Sequence, residues 1–174
     1  MTDAPSSAHV YAVTVAGRDR PGIIAETTAR LAELGLDLED STMSLLHGHF
    51  AMILVCAGDA AERDIEGALA SLTIDRSLTV TVAEVPPAPP STEGAPWILT
   101  VHGGERTEVV SAVVSEVAAV RGNITDLSTR LSGDRYLLEA EIDIPADVDV
   151  AELVAAVERV GSRLDVQATL RPHT

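Results

Sequence analysis

The 174-residue chain contains an internal repeat, which constrains its fold more than any other feature of the sequence. Aligning the second half with the first at an offset of 86 residues needs no gap, and distinctive residues then coincide. Gly17 falls on Gly103 and Phe50 falls on Tyr136. Self-similarity at a fixed period is typical of a structural unit that occurs more than once. We therefore expect two copies of one small domain.

A proline-rich stretch at residues 86–96 separates the halves. Prolines lack an amide donor and favour an extended, semi-rigid connector. The sequence thus predicts a flexible N-terminus at 1–8, a first domain at 9–85, a linker at 86–96 and a second domain at 97–171.

Each half begins with the pattern of a strand followed by a helix. The predicted first strands are 10–16 and 97–101, rich in the β-branched residues that suit strands. Four apolar or small residues then recur at helical spacing in each half: Ile23, Thr27, Leu31 and Leu34 in the first, and Val109, Val113, Val117 and Val120 in the second. We expect these to face a core, with Gly35 and Gly122 ending the helices as left-handed caps.

The remainder of each half predicts a hairpin, a second helix and a closing strand. The hairpins are expected at 36–46 with 49–57 and at 123–131 with 135–144, joined at 47–48 and 132–134. The second helices are expected to begin on acidic caps, Asp59 with Glu62 and Asp149 with Glu152. The closing strands are expected at 77–85 and 163–170.

The resulting order is β-α-β-β-α-β, twice. This order is typical of an α+β, ferredoxin-like unit, in which four antiparallel strands carry both helices on one face. Such a unit leaves one sheet face bare and one strand edge unpaired. Since two units can shield each other, we expect an intramolecular pseudo-dimer.

The charge and the basic residues exclude several functions. The net charge is −15, which disfavours direct binding to nucleic acid or to an anionic membrane. All 12 basic residues are Arg, so the chain has no lysine for a Schiff base or for a phosphate-binding loop. No nucleophile motif or cofactor fingerprint is evident. We expect neither an enzyme nor a cofactor.

The lone cysteine and the histidines predict no special chemistry. Cys56 has no disulfide partner and lies in an apolar run, where a thiol behaves as a small hydrophobe. His47 and His49 are joined by no further ligand in sequence, so no metal site is expected. The N-terminus has neither a basic start nor an apolar stretch, and we expect a cytoplasmic protein.

The segment Gly-Arg-Asp-Arg-Pro-Gly-Ile at 17–23 is the most informative candidate for a binding site. Gly17 lets the chain leave the strand at an unusual dihedral angle, and Asp19 could cap the helix. Pro21 could pre-set the first helical turn, and Gly22 could allow close approach of a ligand. The helix N-terminus that follows suits a carboxylate. A tight turn without a ligand is the alternative interpretation.

These residues, together with Gly-Leu-Asp-Leu-Glu-Asp-Ser at 35–41 and the hairpin at 45–54, resemble an ACT domain. ACT domains are small-molecule-sensing modules attached to many enzymes of amino-acid metabolism. The resemblance extends over both repeats. Among proteins made of paired ACT domains, the chain is most similar to the glycine cleavage system transcriptional repressor group.

The resemblance implies a ligand at the interface of two ACT units, between the strand-to-helix loop of one and the second strand of the other. Carried to this sequence, the ligand-binding residues are Gly17, Arg18, Asp19, Pro21, Gly22 and Ile23, with Asn123, Ile124 and Thr125. Asn123 is the only Asn in the chain, and it could equally be a polar turn residue. In the second repeat Thr107 and Glu108 replace Pro21 and Gly22, which predicts a degenerate second site.

The resemblance therefore implies a non-catalytic regulatory protein that binds a small amino acid, such as glycine or serine. It would act through a protein partner, as a glycine-cleavage-type transcriptional regulator, and could form homo-oligomers. The alternative is an ACT scaffold, or a regulatory subunit of an amino-acid-metabolism enzyme, that has no ligand of its own.

Overall fold

A computed structural model describes residues 9–86, 94–103, 107–133 and 135–173 of the chain. The chain divides into two compact units, unit 1 from Met1 to Pro89 and unit 2 from Pro90 to Thr174. Each unit has the predicted order of strands and helices. The predicted linker lies largely outside the described residues.

Unit 1 is a four-stranded antiparallel sheet with two helices. Its elements are β1 (His9–Arg18), α1 (Ile23–Glu33), β2 (Asp37–Leu46), β3 (His49–Gly58), α2 (Glu62–Leu69), a 3-10 turn (Ala70–Thr73) and β4 (Leu78–Glu84). The strand order is β2-β3-β1-β4. All three neighbouring pairs are antiparallel, as the ferredoxin-like prediction requires.

Unit 2 repeats this architecture. Its elements are β5 (Gly94–Gly103), α3 (Thr107–Ala119), β6 (Asn123–Ser132), β7 (Arg135–Pro145), α4 (Val150–Leu164) and β8 (Val166–Pro172). The strand order is β6-β7-β5-β8, the counterpart of the order in unit 1. The predicted fold class is therefore confirmed for both halves.

One face of each sheet is covered by its helices. In unit 1 the buried residues of α1 are Ile23, Thr27 and Leu31, as the helical spacing predicts. The hydroxyl of Thr27 donates to the carbonyl of Ile23 at 2.8 Å, which satisfies a polar group inside the core. Alternate residues of β3, Phe50 and Leu54 among them, point into the same core.

Unit 2 has an aliphatic core. Val109, Val113 and Val117 of α3 are buried, and they pack in one cluster with residues of β7 such as Leu138 and Ile142. Full burial of such a side chain stabilises a fold by roughly 1.5–3 kcal/mol. The scarcity of aromatic residues (2%) is thus compensated by many branched aliphatic contacts.

The edge strand β2 departs from the expected pattern of one buried face. All its residues are exposed, including Leu38, Met43 and Leu45, of which about half of the side-chain surface is accessible (46–51%). β2 lies at the end of the sheet order, so it has a strand neighbour on one side only. The alternation in its sequence therefore does not produce burial within unit 1.

The predicted glycine cap at the end of the first helix is confirmed in unit 1 and wrong in unit 2. Gly35 has φ 71°, and the amides of Gly35 and Leu36 donate to carbonyls of the last turn of α1, as in a left-handed cap. The prediction for Gly122 is wrong, because Arg121 adopts the positive φ (61°). A Cβ on Gly122 would approach a methyl of Val117 to 2.8 Å, so this glycine provides space instead.

The second helices also differ in how they begin. Asp149 caps α4, where its carboxylate accepts from the amides of Ala151 and Glu152, as predicted. The prediction of an Asp59 cap is wrong, because α2 begins at Glu62 after an extended Ala61. Asp59 lies two positions before the N-cap, Ala61, and a carboxylate caps a helix from the N-cap itself.

Two strands begin at residues other than those predicted. The last strand begins at Val166 and not at residue 163, because α4 continues to Leu164 and ends on a left-handed Asp165 (φ 55°). β5 begins at Gly94, earlier than predicted, since residues 94–96 pair with β7. The first hairpin is the two-residue turn predicted at 47–48, with φ 50° and 77° at its two positions.

Within the described residues, no helix has the length and apolar character needed to cross a membrane.

Gly17 and Gly67 form a matched pair for a test of the fold. A Cβ on Gly17 (φ 151°) would overlap the carbonyl of Ser77, whereas one on Gly67 in α2 would meet nothing within 4 Å. We expect Gly17→Ala to destabilise the protein by about 2 kcal/mol or more. Gly67→Ala should stabilise it by about 0.5–1 kcal/mol, because a helical glycine is entropically unfavourable. Urea unfolding followed by circular dichroism measures both; equal effects would contradict this account of Gly17.

Candidate functional site

The loop between β1 and α1 is held in place by backbone hydrogen bonds to two other segments of unit 1. The amide of Arg18 donates to the carbonyl of Ser77 at 2.9 Å, just before β4. The amide of Asp19 donates to the carbonyl of Gly48 at 3.0 Å, in the β2–β3 turn. The loop is therefore positioned by the sheet before the helix starts.

Gly22 is the N-cap of α1 and adopts a left-handed conformation, with φ 91°. The first helical hydrogen bond runs from the amide of Glu26 to the carbonyl of Gly22, at 2.9 Å. The amides of residues 23–25 precede that bond and have no acceptor within the helix, and no side chain caps it. Together with the helix dipole, these amides favour an anion at this end.

Two of the predicted local roles in this loop, those of Asp19 and Pro21, are corrected. Asp19 does not cap α1, because Gly22 occupies the N-cap position. Pro21 precedes that position and so lies in the turn before the helix, not in its first turn. The side chain of Ile23 is 2% exposed and belongs to the core, so only its amide faces the loop. Gly22 meets no neighbour that would clash with a Cβ; its positive φ is what favours glycine.

Two arginines of the loop differ in their surroundings. Arg20 forms an ion pair with Glu26 at 3.1 Å, and Glu26 also accepts from the hydroxyl of Ser71 at 3.3 Å. Arg18 is exposed and forms no ion pair with any residue that the structure describes. Arg20 thus ties the loop to α1, while Arg18 is a cation of the same loop that no described ion pair engages.

Asp75 and Ser77 form the turn before β4 that contacts the loop. The carboxylate of Asp75 accepts from the amide of Ser77 at 2.9 Å and from its hydroxyl at 2.7 Å. The amide bond, then the hydroxyl bond, and the positive charge of Arg20 lower the pKa of Asp75. The carbonyl of the same Ser77 holds Arg18, so this turn orders the residue that contacts the loop.

The predicted residues of the second repeat lie at the start of β6. Asn123 pairs with Asp143 on β7, and the register shifts between Ile124 and Asp126, which places Thr125 in a β-bulge. Asn123 and Thr125 are exposed, whereas Ile124 is half-buried against the core of unit 2. Their polar side chains are therefore accessible, and a bulge commonly redirects side chains at functional sites.

Residues 9–83 match the family model of the ACT domain. Unit 1 is an ACT domain. Unit 2 has the same order of elements and the same strand order, so the chain has the fold of a tandem ACT-domain protein. The strand-to-helix loop described above lies within the matched part of the chain.

Whole-length relatives support this assignment. The glycine cleavage system transcriptional repressor of Escherichia coli strain K12 is 25% identical over 178 residues, covering 95% of this chain and 90% of that protein. A crystal structure of an unknown protein from Galdieria sulphuraria is 25% identical, with a TM-score of 0.83, and covers 96% of this chain and 99% of that one. A candidate glycine cleavage system transcriptional repressor has the same fold, with a TM-score of 0.73, 18% identity and coverage of 95% and 98%.

Several residues that position the loop of this ACT domain were not predicted from sequence. They are Gly48, Glu26 with Ser71, and the pair Asp75 and Ser77. All except Glu26 lie far from the loop along the chain and contact it because the strand register brings them there. Gly48 and Ser77 act through backbone carbonyls, which any residue type provides, so no sequence signal marks them.

The counterpart loop in unit 2 differs in charge. Residues 104–106 lie outside the described residues, but Glu108 is exposed in the first turn of α3. A carboxylate there interacts favourably with the positive end of the helix dipole. A helix that carries its own anion is a poorer site for a ligand carboxylate, and the degenerate second site stays a prediction.

Cys56 is buried, as predicted, and its thiol lies 3.7 Å from the carbonyl of Tyr11. Burial raises the pKa of the thiol, and the charge of Glu39 adds to the shift, so the reactive thiolate is disfavoured. Among the described residues, no three His, Cys, Asp or Glu side chains cluster as metal ligands do.

The depressed pKa of Asp75 predicts a pH dependence. Because the folded pKa lies below the ordinary value, the contribution of Asp75 to the free energy of unfolding is present above the unfolded pKa, near 4. It is lost as the pH falls through the folded pKa. Asp75→Asn should remove the part of the acid-induced fall in the free energy of unfolding that is due to Asp75. Ser77→Ala should raise the pKa of Asp75, because one hydrogen bond to the carboxylate is lost.

An NMR titration of the carboxyl groups measures this effect. Asp147 provides the internal control, because the pKa of its carboxyl is lowered by Arg121 and not by Ser77. A Ser77→Ala variant in which Asp75 titrates as before, or in which both carboxyls shift equally, would show that Ser77 does not stabilise the Asp75 anion.

Proposed function

We propose that this protein is a non-catalytic regulator that binds a small amino acid at the strand-to-helix loop of its first ACT domain. The observation that carries the proposal is the exposed N-terminus of α1. It begins on a left-handed glycine and bears no side-chain cap, and the loop that leads to it includes Arg18, which is outside any described ion pair.

The chemistry of an amino acid suits the groups of this loop. The open amides of α1 and the guanidinium of Arg18 would bind the α-carboxylate. The exposed carboxylate of Asp19 would accept from the α-ammonium group. Gly22 brings the backbone, without a side chain, to the ligand, and this favours a small ligand such as glycine or serine.

The relatives support a regulatory role. The whole-length Escherichia coli relative bears the name of a transcriptional repressor of the glycine cleavage system. A ligand regulates only if it binds one conformation or assembly more tightly than another. We propose that the amino acid shifts such an equilibrium in this protein and that a protein partner reads the change.

Isothermal titration of the full chain with glycine and with serine tests ligand binding. We expect saturable binding that Arg18→Gln weakens roughly tenfold, because a charge-assisted hydrogen bond to the carboxylate is lost. Arg30→Gln removes the same charge from the other end of α1, where Arg30 pairs with Glu33, and should leave the affinity unchanged. Asn123→Ala tests the residue that the ACT resemblance implies in unit 2.

The outcomes separate the two functions under consideration. Binding that depends on Arg18 but not on Arg30 supports the sensor. If no small amino acid gives a heat of binding or a thermal shift, the result favours the alternative, an ACT scaffold that has no ligand. A titration that fits two equal sites would contradict the prediction of one working site per chain.

A gel-shift experiment tests the proposal that a protein partner carries the regulation. With a net charge of −15, the purified chain should not bind duplex DNA at physiological salt, because the phosphate backbone repels it. Tight, saturable binding by the chain alone would contradict a partner-mediated mechanism. A lysine- and arginine-rich DNA-binding protein in the same gel serves as the positive control.

A further inference from the structure

A row of side chains crosses the helix-free face of the sheet in unit 2. Arg130 on β6 pairs with Leu137 on β7, Leu137 pairs with His102 on β5, and His102 pairs with Gln167 on β8. The next residue of β7, Leu138, is buried in the core beneath the helices. Since successive residues of a strand point to opposite faces, this row faces away from the helices.

The row forms the floor of a cleft of about 750 Å³. This volume lies in the range of small-molecule sites in proteins. The described residues that line it are His102, Gly103, Arg130, Ser132, Arg135, Tyr136, Leu137 and Gln167. None of them is acidic, although the chain has 27 acidic and 12 basic residues.

Two arginines of this lining can converge on one anion. Ser132 pairs with Arg135, so Arg130 and Arg135 are diagonal neighbours on adjacent strands, roughly 7–8 Å apart at the backbone. Long arginine side chains span that separation and form paired hydrogen bonds with carboxylates and phosphates. Neither arginine forms an ion pair with a described residue, and Glu139, one pair further along the face, is not within 4 Å of a guanidinium.

The corresponding row of unit 1 lacks this chemistry. There Ser44 pairs with Ala51, Ala51 with Ala16, and Ala16 with Thr79. These side chains are small and uncharged. The cationic cleft is therefore specific to unit 2 and does not follow from the shared fold, which produces the same strand order in both units.

We propose that this cleft binds a small organic anion with an apolar body. Arg130 and Arg135 hold the anionic group, His102, Ser132 and Gln167 supply further hydrogen bonds, and Leu137 contacts the apolar part. The proposal is independent of the amino-acid site proposed on unit 1, since it involves other residues and another face of the fold.

Titration of the full chain with phenyl phosphate, benzoate and inorganic phosphate tests this site. We expect saturable binding of at least one aromatic anion. Arg130→Gln and Arg135→Gln should each weaken it roughly tenfold or more, because each removes a charged donor. Inorganic phosphate should bind more weakly than phenyl phosphate, because it has no apolar part to contact Leu137.

Arg171→Gln is the matched control. Arg171 pairs with Ile98, four residues along β5 from His102, so it lies on the same face roughly 13 Å from the row and loses the same charge. Circular dichroism melts verify that all three variants fold. Binding that depends on Arg130 and Arg135 but not on Arg171 supports the site. A preference for phenyl phosphate indicates that the anionic group is a phosphate, and a preference for benzoate indicates that it is a carboxylate.

Three results would overturn the proposal. They are the absence of binding by either aromatic anion at millimolar concentration, equal weakening by Arg171→Gln, and equal affinity for inorganic and phenyl phosphate. Arg18→Gln, which alters the unit 1 loop, should leave aromatic-anion binding unchanged. A failure of the amino-acid site is therefore distinguishable from a failure of this one.

Discussion

The antiparallel register of β1 with its two neighbours determines the geometry of the first ACT domain. It places the end of β1 between the β2–β3 turn and the segment before β4, so that carbonyls of both accept from the loop. Gly17 makes the close approach to Ser77 possible, because any larger residue would overlap that carbonyl. The exposed start of α1 is therefore a consequence of strand pairing, and its affinity for anions follows from the helix that begins there.

The two units show how one frame accommodates different electrostatics. The same strand order produces a row of small neutral residues on the helix-free face of unit 1 and a row with Arg130 and His102 in unit 2. Conversely, the first helix of unit 1 begins on Gly22 with no side-chain cap, whereas unit 2 has Glu108 at the corresponding position, in the first turn of its first helix. Core positions such as Ile23 and Val109 are buried apolar residues in both, because burial leaves little choice there. Charges on exposed positions are free to diverge, so function can differ between repeats that fold alike.

Periodic patterns in the sequence predicted most of the fold. The helix faces, the Gly35 cap, the Asp149 cap and the first hairpin turn are confirmed because each depends on residues within one or two turns of chain. The misassigned caps at Gly122 and Asp59 show where local signals end. Arg121 is left-handed because it occupies the cap position of Gly35 in the repeat, with the same two backbone hydrogen bonds to the last turn, and a pattern that looks for glycine misses it.

The sequence by itself determined the repeat, the βαββαβ order, the acidic character and the loop at 17–23 as the place to expect a ligand. The tertiary structure decided which groups of that loop are available. It buried the side chain of Ile23, engaged Arg20 with Glu26 and left Arg18 exposed. It also brought Arg130, Arg135 and His102 together from three strands. Local patterns follow from backbone periodicity, whereas the meeting of distant side chains depends on strand register, which the chain reaches only when it folds.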